Sequence, residues 1–193
     1  MTTLSKDNFF FFYDDCSNIK ILPNSLEHAY LAIIENDLDS SKQIFKNLDS
    51  ARSKWGYSFV SILEGYVEAF PTFFGIRNFL EIDLEFLLKN EKITFVEQVL
   101  GALDFLSAIN QESYKFAARV MYENKLYTAA LKYMEKSKNI YYNDPELHFM
   151  LAKYYIQSNN TKEANFYINE CLRLLPGYYP ALLIKQKFEE NTI

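Results

Sequence analysis

Five glycines and five prolines are all that punctuate 193 residues. So little turn-forming material argues against the many hairpins of a β-sandwich or barrel and against flexible linkers, and it favours helices joined by short connections. The glycines, Gly56, Gly65, Gly75, Gly101 and Gly177, are too dispersed for a dinucleotide fingerprint or a phosphate loop. Only two histidines occur, His28 and His148, with no HExxH neighbour and no partner at a ligand spacing, so packing or surface roles are expected of both. The two cysteines, Cys16 and Cys171, match no metal or redox spacing and have no base beside them; they read as free thiols in a reducing compartment. Asp37 and Asp39 begin like a calcium loop, but Ser40, Ser41 and Lys42 follow without the required Gly and closing Glu. No metal and no cofactor is expected, and no catalytic residue is nominated.

Positive charge is also short. The net charge is −5 and the pI about 5.2, which argues against nucleic-acid binding because phosphate recognition needs a cationic footprint. The deficit is uneven: residues 1–76 carry −4, 77–110 carry −3, and 111–193 carry +2. No long hydrophobic run is present either. The longest stretch free of Asp, Glu, Lys and Arg runs from Leu174 to Ile184 and contains Pro176, Gly177 and Pro180, so no membrane span is expected. The apolar run Phe9 to Tyr13 is short and followed by Asp14 and Asp15, unlike a signal peptide, and a cytoplasmic location is expected.

What is abundant is aromatic surface, 15 Tyr and 17 Phe, which supplies large buried areas to helices with small contact seams. Apolar residues recur at three- and four-residue spacing through most of the chain, the signature of amphipathic helices. Trp55, Phe59, Ile62, Tyr66 and Val67 line one face; Ile76, Leu80, Leu84 and Leu87 line another. Pro23 with Ser25, Pro71, and Pro145 after Asp144 mark helix starts, and Thr94 with Glu97 reads as a capping box. The spacing predicts helices over 25–36, 39–50, 53–69, 71–90, 93–109, 111–123, 126–142, 145–157, 161–175 and 179–190. Short connections between them imply antiparallel neighbours. Residues 1–22 are expected to form an arm that packs on the first helices or on a partner.

The clearest internal match lies between residues 111–144 and 145–178, with Ala130 and Ala164 superposed at a separation of 34. The second copy carries Leu151, Ala152, Tyr155, Ala164, Cys171 and Pro176; the first carries Tyr114, Ala117, Ala118, Met121, Ala130, Met134 and Ser137. These positions resemble the tetratricopeptide-repeat superfamily. Tyr142 stands in place of the repeat's terminal proline, and His148 replaces its usual first-helix Trp. Small residues at Ala118, Ala130, Ala152 and Ala164 would let paired helices approach closely. The resemblance implies an all-α fold of antiparallel helical hairpins stacked as a tetratricopeptide-like α-solenoid, with the helix over 179–190 as a cap. Residues 23–110 form a less regular helical region: Asn36 to Asp39 resembles a turn between paired helices, but the 34-residue register is lost between 50 and 110. A helical cap or a homodimer through these N-terminal helices is the alternative there. The whole is expected to be one continuous folded unit.

In that family the first helix of each pair lines a concave, peptide-binding surface. The resemblance places Lys115, Arg119, Tyr122, Phe149, Lys153 and Ile156 on that face. The expectation is a groove for an acidic or carboxylate-ended peptide, with Lys115, Arg119 and Lys153 holding charge and Tyr122 and Phe149 as apolar anchors. The function this implies is a non-enzymatic scaffold or adaptor for a protein or peptide partner. A small acidic tetratricopeptide chaperone for a secreted or assembly-prone client is the alternative, and an enzyme or its regulatory subunit ranks behind both.

Overall fold

The computed structural model describes residues 10–11, 14–15, 21–66 and 71–190. Most of the arm over residues 1–22, including Phe9, Phe12, Tyr13 and Cys16, lies outside the described residues, as does Val67. Phe10–Phe11 (β1) pairs antiparallel with Asp14–Asp15 (β2). The remaining regular elements among the described residues are helical, and none of those helices is long and apolar enough to cross a membrane. Two compact units meet at the Ser113–Tyr114 boundary.

The first unit contains α1 (Leu26–Ile34), α2 (Leu38–Asn47), α3 (Ala51–Leu63), α4 (Phe73–Asn78), α5 (Leu84–Lys89), α6 (Ile93–Gly101) and α7 (Leu103–Ile109). Four starts carry the expected chemistry: Ser25, Asp37, Ser50 and Thr72 each accept a first-turn backbone N–H of the helix that follows. Six consecutive residues of α1, Ala29 to Ile34, are buried, so this helix is enclosed on nearly all sides. Between α4 and α5 runs a π-helical turn, Phe79–Asp83, closed by the Leu84 N–H donating to the Phe79 carbonyl. The extra residue in that turn leaves Asp83 fully buried. There one Asp83 oxygen accepts from the Tyr30 hydroxyl at 2.9 Å and pairs with Arg52; the other meets no donor. The Tyr30 ring packs edge-on against Phe45 and Phe86, and the Arg52 guanidinium lies 5.2 Å from the Trp55 ring.

Three expectations are corrected in this unit. The helix over 53–69 stops at Leu63, because Gly65 adopts φ 85° and the Tyr66 N–H turns back to the Ser61 carbonyl. The helix over 93–109 is divided at Ala102 into α6 and α7. Thr94 does not cap α6; Lys92 occupies the cap position with no side-chain bond.

The second unit comprises α8 (Ser113–Glu123, starting one residue before the boundary), α9 (Tyr127–Ile140), α10 (Pro145–Gln157), α11 (Thr161–Leu174) and α12 (Tyr179–Glu190). Ala118, Ala130, Ala152 and Ala164 are all fully buried, and α10 packs on α11. Between α10 and α11 the Tyr155 and Tyr167 rings stack 5.5 Å apart and 3° from parallel, with His148 stacked 5.8 Å beyond Tyr167.

One turn recurs in both units. Asn36, Glu91, Lys125 and Asn159 all adopt left-handed φ angles of 63°, 55°, 62° and 57°. Each donates its N–H to the carbonyl three residues back, and the next residue donates to the carbonyl five back. This is the Schellman closure of a helix C-terminus. In every case that second residue, Asp37, Lys92, Leu126 or Asn160, is also the N-cap of the next helix. Residues with a Cβ are strained in this conformation, most of all those that are neither Asn nor Gly. Lys125 is exposed, so Lys125→Gly is expected to raise stability by about 1 kcal/mol in urea unfolding, whereas the same change at the adjacent Asn124 lowers it.

Candidate functional site

The connection from α9 to α10 ends at Asp144, directly before Pro145 at the first position of α10. One Asp144 oxygen accepts the backbone N–H groups of Glu146 and Leu147 at 2.9 and 3.2 Å. The other accepts the Lys115 ammonium of α8 at 2.6 Å, and this ion pair is buried on both sides. Lys115 also lies 3.2 Å from a Glu146 oxygen, while Arg119, one turn further along α8, pairs with the second Glu146 oxygen. Two of the cations expected to face a ligand thus already carry counter-ions from α10.

Beyond this network α8 and α10 present a different surface. Lys153 is exposed and its ammonium sits 5.0 Å above the Tyr122 ring, whose hydroxyl donates to the Lys153 carbonyl at 3.3 Å. Burial pushes the Tyr122 phenol pKa upward. Phe149 packs against Tyr178, ring centroids 5.2 Å apart. A recess of about 140 Å³ opens among Arg119, Tyr122, Phe149, Lys153 and Tyr178, with Glu123, Glu146 and Met150 completing its wall. Four of the six residues expected on this face therefore line one recess. Lys115 is buried beneath it, and Ile156, 37% exposed, stands apart on the last turn of α10.

Sequence reasoning did not nominate Glu146, Glu123 or Tyr178. Glu146 was findable, since it lies three residues before Phe149 on the same helix and hence on the same side. Tyr178 follows Pro176 and Gly177 in an irregular connection, where no periodicity points to its direction.

The other reactive side chains have structural surroundings. Cys171 is fully buried, and burial pushes its thiol up to about 11, so it is a poor source of thiolate. His148 is buried with Nε2 2.8 Å from the Tyr142 carbonyl oxygen, which can only accept, so Nε2 carries a proton. Its Nδ1 has no partner, and burial lowers its pKa. Among the described residues no group of three His, Cys, Asp or Glu is placed to hold a metal ion. No protein-family model matches the chain, and no curated protein matches it.

Proposed function

We propose that this chain is a non-enzymatic protein-interaction scaffold, a tetratricopeptide-like stack of antiparallel helical hairpins that takes a peptide segment of a partner protein against α8 and α10. The tetratricopeptide reading draws support from the α8–α9 and α10–α11 turns, whose left-handed residues Lys125 and Asn159 are 34 residues apart. Helix α12 likewise starts 34 residues after α10, at Tyr179 against Pro145. In that register Lys185, Gln186 and Glu189 stand where α10 carries Leu151, Ala152 and Tyr155, which suits a polar capping helix.

The observation that carries the binding reading is the recess walled by Tyr122, Phe149 and Tyr178. Its size fits one large apolar side chain, and its neighbouring charges, Arg119 and Glu146, neutralise each other. The partner peptide accordingly presents a Leu, Met or Phe to the recess, with a nearby carboxylate reaching Lys153, rather than a dense acidic run.

Selection of a displayed random-peptide library on the intact chain, followed by calorimetry, tests this. Enriched peptides are expected to share a large apolar residue and to lose about tenfold or more in affinity on Phe149→Ala or Tyr122→Ala, each worth about 1.4 kcal/mol or more. Peptides that bind equally well to Phe149→Ala, Tyr122→Ala and Lys153→Glu, or a selection that enriches nothing, would remove the proposal.

A further inference from the structure

Four charged side chains line the recess between α8 and α10: Arg119, Glu123, Glu146 and Lys153. Two of them answer each other, because Arg119 pairs with Glu146, and buried Lys115 lies 3.2 Å from the same carboxylate. Glu123 and Lys153 are the other two. Both are exposed, and among the described residues neither makes an ion pair. Tyr122 links them, since it precedes Glu123 on α8 and carries the Lys153 ammonium 5.0 Å above its ring. Two opposite charges therefore share the wall of one recess, yet the ammonium rests on an aromatic face rather than on the carboxylate.

The position of Glu123 adds to its charge. It is the last residue of α8, where the helix macrodipole presents its negative end, so a carboxylate there is disfavoured and a cation is attracted. The last turn of α8 holds no basic residue. Lys125, the nearest cation in sequence, is not part of the recess wall and makes no ion pair with Glu123. A partner segment of acidic residues alone meets like charge at Glu123, and one of basic residues alone meets it at Lys153. A segment that carries one of each satisfies both.

Resting on the peptide-binding reading above, we propose that the recess selects a segment of mixed sign: an apolar residue entering beside Tyr122, Phe149 and Tyr178, an acidic group against Lys153, and a cation against Glu123. Glu123 is the specificity-determining residue, because it turns away the purely acidic peptides that Lys153 alone would admit. The cation is a Lys or Arg side chain of the peptide or its own N-terminal ammonium, which offer the same chemistry to a carboxylate.

Peptides enriched on the intact chain by display, resynthesised with free and with acetylated N-termini, are titrated calorimetrically into wild type, Phe149→Ala and Glu123→Lys. The Glu123→Lys chain is expected to fold as wild type does, since the side chain is exposed and lysine suits a helix C-terminus. Peptides that need Phe149 are expected to weaken about threefold or more on Glu123→Lys, and to regain the loss when their Lys or Arg is exchanged for Glu. A cation supplied by the N-terminus shows instead as the same loss from wild type on acetylation. Peptides that need Phe149 but bind Glu123→Lys as tightly as wild type overturn this inference and leave the peptide-binding reading standing. So does an enriched set that is uniformly acidic, or a loss on Glu123→Lys that neither the exchange nor acetylation accounts for. Peptides indifferent to Phe149→Ala remove that reading and this inference together.

Discussion

Lys115→Met is expected to cost about 3–5 kcal/mol of folding stability, read as a fall in the urea midpoint followed by far-UV circular dichroism. The ammonium it removes is 4% exposed and faces an Asp144 carboxylate that is 8% exposed, so the variant leaves a buried charge without its counter-ion. Methionine keeps the length and apolar stem of the side chain, which confines the loss to charge. Asp144 also holds the first turn of α10 through two backbone N–H groups, and that duty does not need a negative charge. Asn caps helices as well as Asp, so adding Asp144→Asn to the Lys115→Met variant is expected to recover most of the loss. A double variant no more stable than the single one would show that packing, rather than the ion pair, is what Lys115 contributes. Arg119→Met should cost much less, because its partner Glu146 is 41% exposed and water can replace the guanidinium. Charge reversal at Lys115 is therefore unsuitable for locating a ligand, since it is expected to destabilise the helices that carry the recess.

Arg52→Met is expected to cost about 3 kcal/mol at pH 7, and less under acid conditions. Burial raises the Asp83 carboxyl to about 6, with Arg52 and the Tyr30 hydroxyl partly opposing the rise. The same carboxyl in an unfolded chain titrates near 3.9, so between roughly pH 4 and 6 the folded state holds the extra proton. The stability contributed by Asp83 is thus present at the acid end of this window and lost as pH rises through about 6. Without Arg52 the carboxyl shifts higher still, and the window moves toward neutrality. His148 runs the other way: burial lowers its folded pKa below the unfolded 6.5, so its contribution is present above that value and lost as pH falls. Unfolding at pH 5 and pH 7 separates the two, because Trp55 fluorescence reports only the first unit. Arg52→Met should lose less at pH 5 than at pH 7 by that probe. Equal losses at both would mean that Asp83 stays ionised throughout.

The places of the helices were legible because period and caps agree: Ser25, Asp144 with Pro145, and the alternation through Ile76, Leu80, Leu84 and Leu87 all point one way. The fully buried alanines of the second unit were legible for the same reason, their 34-residue spacing. The π-turn was not, since one extra residue leaves the apolar pattern almost intact while redirecting Asp83 inward. The breaks near Glu91 and Lys125 were legible, but their left-handed turns were not, because neither is a residue type that ordinarily signals one. The resemblance to tetratricopeptide repeats implied one face for Arg119, Tyr122, Phe149 and Lys153, and these four line the recess. The fate of Lys115 was not legible, because lysine is ordinarily a surface residue and its counter-ion sits 29 positions away, at the cap of another helix.

The shared turn has a mechanical consequence. Where one residue both closes a helix and opens the next, there is no slack between them: adding or deleting a single residue disturbs the last hydrogen bonds of the first helix and the first backbone bond of the second together. Helices α8 with α9, and α10 with α11, are therefore stiff struts, and compliance within the second unit falls to the longer joints at Tyr141–Asn143 and Leu175–Tyr178. Both joints bring aromatic residues next to the recess or the α10–α11 stack, Tyr178 on Phe149 and Tyr142 on His148. Under the proposed function, a peptide wedged against Tyr178 would act on one of these joints rather than merely fill a space.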